Sequence, residues 1–216
     1  MNHMHRSATC LLVVCALAAV AVAGKKAIRD IQVTGGEMLD PRDGTVYNTV
    51  TIGGQRWMAK NMNFKTDSSW CYENAPDSCR KYGRLYAWNA ARKACPSGWH
   101  LPSDDEWWTL EDMVGGKEKG GRNLKSADGW VDSGGGTDKY RFTALPAGIR
   151  KDDDGFSGVD SFDFYWSATE DGDWNAWGPS LSSFVPEVYG GPGAKSNGLS
   201  VRCLENPPRR PPKRRP

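Results

Sequence analysis

Histidine is scarce in this chain: of three, His3 and His5 stand at the start and only His100 lies deeper. A Cys/His zinc centre needs ligands at short, fixed spacings, and none occur here. Catalysis by a nucleophile paired with an imidazole would rest on His100 alone. Set between Trp99 and Leu101, that residue reads as support for a turn. Long hydrophobic runs are missing as well, because the longest, residues 8–23, is too short and alanine-rich for a comfortable membrane span. There is no strong excess of one charge. The formal net charge of +2 includes Arg6 near the start and Arg209, Arg210, Lys213, Arg214 and Arg215 at the end. The body between is mildly acidic, unlike a nucleic-acid-binding domain with its basic residues on one folded face, so no specific nucleic-acid binding is expected. No fixed-period repeat appears.

What is present begins with an export signal. Residues 1–23 pair a short polar opening holding Arg6 with the apolar run and end in Ala21-Val22-Ala23, a small-x-small cleavage site. A retained anchor is the alternative. A lipoprotein would need a small residue before Cys15, where Val14 stands. Cleavage removes Cys10 and Cys15 and leaves Cys71, Cys79, Cys95 and Cys203. An even count in an exported chain implies two disulfides with three connectivities open. The favoured one joins Cys71 to Cys79 across a local loop and Cys95 to Cys203 across most of the body.

Residues 24–42 read as a linker, without excluding a short strand. Residues 45–58 read as a β-hairpin turning at Gly53-Gly54. Leu85, Trp88 and Ala91 have helical spacing in LYAWNAARKA, which Pro96 terminates. Ser103 and Glu106 form a capping box before a second helix with Trp107, Leu110 and Val114 inward and Gly115-Gly116 at its end. Beyond lies a glycine-rich region with strand-like runs at 141–145, 162–167, 177–184 and 199–204. The fold class is therefore α+β. Residues 207–216 hold only Pro, Arg and Lys and are expected to stay extended and solvated, with anionic surfaces as one partner.

The segments 43–63, 82–110 (with CPSGWHLPSDDEW), 124–130, 142–150, 164–170 and 199–206 (with SVRC) together resemble the major paralogous domain first described in Fibrobacter succinogenes. The resemblance spans residues 43–206. That family is similar to the C-type-lectin-like and formylglycine-generating-enzyme folds. The similarity implies neighbouring terminal strands, two helices packed on a small sheet, a long loop region, and a Cys95–Cys203 bridge. A formylglycine-generating activity uses two late cysteines acting together, and here Cys203 stands alone. The calcium-lectin ligand loops are absent too: Pro186-Glu187 lacks its polar flank, and Trp174-Asn175 runs into Ala176. Asp152-Asp153-Asp154-Gly155 could gather oxygens around calcium but lacks the alternating spacing of an EF-hand, so it reads as a solvated turn with calcium as the alternative. No cofactor is expected.

Ten tryptophans carry the remaining signal. Trp57, Trp88, Trp99, Trp107 and Trp166 fall in the family motifs and read as core. Trp70, Trp108, Trp130, Trp174 and Trp177 fall in loops or on a helix's outer face, where an indole suits sugar stacking or a protein partner. The expectation is a noncatalytic secreted or cell-surface module binding a polysaccharide or surface protein. The alternatives are a structural envelope protein and, more remotely, an enzyme of the sulfatase-modifying type.

Overall fold

The computed structural model describes residues 33–208, so the leader 1–23 and the tail from residue 209 lie outside the described residues. The first element is the strand β1 (Thr34–Leu39), followed by β2 (Val46–Ile52) and β3 (Gln55–Met58). Ile52 faces Gln55 across a turn of Gly53 and Gly54 with φ of +58° and +92°. Two successive residues with positive φ define the tight hairpin turn that glycine permits. β1 lies inside the stretch read as linker, and it pairs along its whole length with β2, burying Met38. Its TGGEML sequence offers little apolar alternation, so backbone pairing and not side-chain pattern holds it there.

Next come β4 (Ser69–Trp70), α1 (Pro76–Tyr82), β5 (Leu85–Tyr86), α2 (Trp88–Ala94), β6 (Trp99–His100), α3 (Asp104–Met113) and α4 (Lys117–Leu124). The helix expected over LYAWNAARKA starts only at Trp88, because Leu85 and Tyr86 pair with β4 and with a late strand. At α3 the capping box is complete: Ser103 accepts from the Glu106 backbone N–H, and Glu106 accepts from that of Ser103. α1 and α4 were not legible. α4 carries Gly120 and Gly121, which weaken a helix intrinsically, yet a Cβ on Gly121 would collide with the Pro186 and Glu187 carbonyl oxygens. Close packing, and not propensity, selects glycine there.

The later strands are β7 (Ala147–Arg150), β8 (Phe156–Val159), β9 (Phe162–Phe164), β10 (Glu170–Asp171), β11 (Asn175–Ser182), β12 (Tyr189–Ala194), β13 (Leu199–Ser200) and β14 (Leu204–Glu205). Residues 141–145 do not form the expected strand. Arg141 and Thr143 take φ of +57° and +54°, which an extended ladder excludes. Three sheets result, ordered β1-β2-β3-β14-β6, β10-β11-β9-β7-β8 with β12 also on β11, and β13-β5-β4. The strand pairs are antiparallel except for a parallel contact of β7 with β9.

The fold is thus α+β, with four α-helices among the described residues and two disulfides, Cys71–Cys79 and Cys95–Cys203. The second bridge joins positions 108 apart and fixes the closing strand region against the end of α2. Such bridges are consistent with an extracellular protein. No described helix is long and apolar enough to cross a membrane.

Trp57, Trp107, Phe142 and Tyr165 pack as an aromatic box, with ring centroids 4.7–6.3 Å apart. Beside it lies Arg202, 1 % exposed, its guanidinium 4.3 Å from the Phe142 ring centroid. It donates to Asn61 Oδ1 at 2.7 and 2.9 Å, to the Met58 and Phe142 carbonyls, and to the Tyr165 hydroxyl. Nearby Asp163 is fully buried and accepts from Ser200. Burial pushes its carboxyl up to about 7, against the pull of the neighbouring Tyr165 hydroxyl and the Arg202 charge.

Candidate functional site

Side-chain periodicity builds one cleft from two elements. On α3, Asp104, Trp108 and Glu111 stand at i, i+4 and i+7, positions that share a helix face. On β11, Trp177, Pro179 and Leu181 stand at i, i+2 and i+4, which share a strand face. All six line a cleft of about 260 Å³, joined by Lys117 and by Tyr189 of β12. Its floor is the aromatic core, Trp107, Phe142 and Tyr165.

Three contacts fix the walls. Asp104 N–H donates to Thr169 Oγ1 at 3.0 Å, and Trp177 N–H donates to the Thr169 carbonyl, so one residue ties α3 to β11. Val188 N–H donates to the Lys117 carbonyl, which brings β12 to the start of α4 and sets the Lys117 ammonium 5.8 Å from the Tyr189 ring centroid. Pro179 pairs with Gly190, and Ser180 with Tyr189, so β12 enters its ladder at the cleft's edge, where Tyr189 contributes to the lining.

The cleft combines aromatic faces with carboxylates held partly out of water. Desolvation raises the Asp104 carboxyl, helped by the Asp105 charge. Desolvation likewise raises Glu111, with Asp112 adding to the effect and Lys117 opposing it. Trp108 is 58 % exposed and Tyr189 46 %. The indole N–H groups of Trp88, Trp107, Trp130 and Trp166 donate within the fold. Those of Trp108 and Trp177 donate to none of the described residues. A flat apolar face, a free N–H donor and nearby carboxylate acceptors are the groups that stack on a pyranose ring and bind its hydroxyls.

The other indoles singled out in the sequence go elsewhere. Trp130 is buried and donates to Ser126 Oγ and the Ala144 carbonyl, so it offers no exposed face. The short Ser126 side chain gives its N–H an internal partner, which loop placement alone did not reveal. Trp70 is half-buried beneath the Arg150 guanidinium, 3.8 Å from its ring centroid. Trp174 is 82 % exposed and borders a separate depression with Lys93 and Lys195. Trp99, expected in the core, is half-buried under Arg56.

The family model of the Fibrobacter succinogenes major domain matches residues 50–205. The chain belongs to that family. The matched span of the Fibrobacter succinogenes major domain contains every residue of the cleft. No curated protein and no solved structure matched the chain.

Within this domain His100 sits at the foot of α3. Its Nε2 lies 3.0 Å from Glu106 and its Nδ1 2.6 Å from Asn206. The Glu106 hydrogen bond raises the imidazole pKa, while burial opposes it. The Asp152 to Gly155 run forms the turn between β7 and β8, where Asp153 accepts from Gly155 N–H and Asp154 pairs with Arg150. Among the described residues, no group of three His, Cys, Asp or Glu side chains is arranged to hold a metal ion.

Tyr189, Lys117, Asp104 and Glu111 were not singled out from the sequence. The i, i+4, i+7 spacing of the α3 trio could have flagged Asp104 and Glu111. Tyr189 carries no such signal, since YGGPGA reads as loop until its pairing with β11 is known.

Proposed function

We propose that this domain is a noncatalytic binding module, exported and displayed at or released from the cell surface, whose Trp108–Trp177–Tyr189 cleft holds a neutral segment of a polysaccharide. The observation that carries this reading is the convergence of a helix stripe and a strand stripe on one cleft with two unengaged indoles and two partly desolvated carboxylates. Binding without turnover is supported by the oxidised state of Cys203, which is wholly buried in its bridge to Cys95. The capping hydrogen bonds of His100 support it as well. Export is supported by the leader sequence and the two bridges. A C-type-lectin-like arrangement is supported by the closing strand β14 lying between β3 and β6, with the helices and a long late region beyond it.

Retention on insoluble neutral polysaccharides tests the reading. Trp177→Ala and Trp108→Ala should each weaken binding about tenfold or more, in keeping with the loss of a central aromatic anchor. Trp174→Ala, outside the cleft, should bind as the parent does. Equal retention by all three variants, each folded by near-UV circular dichroism, would exclude the cleft.

A further inference from the structure

A second cavity, of about 610 Å³, opens on the side of the molecule formed by β2, the end of α1 and the 138–145 loop. It differs in chemistry from the aromatic cleft and shares no residue with it. Lys60, Arg80, Lys81 and Arg141 line it, and all four are exposed. Asp138 is the only carboxylate in its lining. That carboxylate is already engaged: Oδ1 accepts from Thr143 N–H and Oδ2 from Thr143 Oγ1, both at 2.8 Å. Arg80 pairs with Asp77, and Lys81 stands a loose 3.9 Å from Asp160. Lys60 and Arg141 have no ion pair among the described residues.

The loop that carries Arg141 is held in an unfavourable backbone state. Asp138, Arg141 and Thr143 have φ of +43°, +57° and +54°. Left-handed backbone is costly for non-glycine residues, above all for β-branched threonine, and collects at functional sites. Here the Asp138 to Thr143 hydrogen bonds and the Arg202 contacts to the Phe142 and Thr143 carbonyls fix it. The inner wall is rich in neutral hydrogen-bonding groups. The Tyr47 hydroxyl accepts from Asn63 N–H, and burial keeps that phenol protonated, its pKa raised to about 12. Asn63 Oδ1 is buried without a hydrogen-bond partner.

A cavity of this size is in the range of small-molecule sites. Cations of one sign around a concave, partly apolar site concentrate an opposite charge. We propose that this cavity binds an acidic oligosaccharide, its carboxylates met by Lys60 and Arg141 at the mouth and its hydroxyls by half-buried Thr45 and exposed Asn48 in the lining. The domain then has two sugar sites of opposite preference, one aromatic for neutral rings and one cationic for uronate rings.

Calorimetric titration of the exported, oxidised protein with trigalacturonate, its fully methyl-esterified form and inorganic phosphate tests this. The acid should bind at least tenfold more tightly than the ester, and phosphate should bind more weakly than the acid. The Lys60→Gln/Arg141→Gln double variant should lose at least tenfold in affinity for the acid. Lys119→Gln, which removes one charge from exposed α4, should leave it unchanged. Equal binding of acid and ester, phosphate binding as tight as the trisaccharide, or full affinity in the double variant would each overturn the proposal. The ester comparison uses the unaltered chain, so it decides even if the variant misfolds. Neutral polysaccharide retention by the double variant keeps this outcome separate from that of the aromatic cleft.

Discussion

Single residues in the core carry opposite electrostatic burdens. Arg202 is tolerated without water because its planar fork matches the Asn61 amide oxygen and backbone carbonyls. Asp163 is less well provided for, with Ser200 donating to Oδ1 and Oδ2 left without a hydrogen bond within the fold. Its carboxyl is raised to about 7 from an ordinary 3.8. A carboxyl raised in the folded state binds its proton more tightly there than in the unfolded chain, so stability falls as pH climbs from 3.8 to about 7. Asp163→Asn keeps an acceptor for Ser200 and cannot ionise. Urea unfolding between pH 4 and 7 should show this slope in the parent and a flatter profile in the variant, and identical profiles would refute the assignment.

At the scale of elements, α3 is specified by its own sequence at both ends and along its stripe. The Ser103 and Glu106 exchange closes its start, and Glu106 also receives His100. Opposite shifts follow, with the imidazole raised from 6.5 and the carboxyl lowered from 4.5. The histidine contribution is complete below pH 6.5 and is lost as pH rises through its higher folded value. The glutamate contribution is complete above pH 4.5 and is lost as pH falls through its lower folded value. The pair therefore supports the fold most between pH 4.5 and 6.5. His100→Gln should lower Tm most inside that window and progressively less above it, as followed by far-UV circular dichroism. A Tm penalty independent of pH would mean that charge plays no part at this cap. α4 is the contrasting case, because its glycines argue against a helix and only the contact with the Pro186 and Glu187 carbonyls explains them.

For the whole molecule, closure depends on joining distant parts of the chain. β14 inserts between β3 and β6, with Leu204 paired to both Trp57 and His100. The Cys95–Cys203 bridge holds that insertion across 108 residues, whereas Cys71–Cys79 spans only 8. A cross-link restricts the unfolded chain more when its loop is longer. Replacing Cys95 and Cys203 together by serine should cost about 4 kcal/mol of unfolding free energy, and replacing Cys71 and Cys79 should cost less. Urea denaturation of the two double variants measures the order, and an inverted order would show that native packing around the sulfurs outweighs chain restriction.

The amino-acid sequence by itself determined what depends on neighbours along the chain. The Gly53-Gly54 turn, the α3 cap and the family membership all rest on short-range chemistry or on linear motif order, whereas four cysteines left three pairings open until the fold joined Cys95 to Cys203. Tertiary structure alone decided which exposed-reading indoles are exposed. Trp130 is hidden because Ser126 and Ala144 come to meet its N–H, while Trp108 and Trp177, 69 positions apart, face one cleft because Thr169 ties their elements together. The same holds for the cationic cavity. Lys60 and Arg141 come to line one cavity because the chain after the hairpin and a strained loop border it together, and residue spacing carries no record of that arrangement.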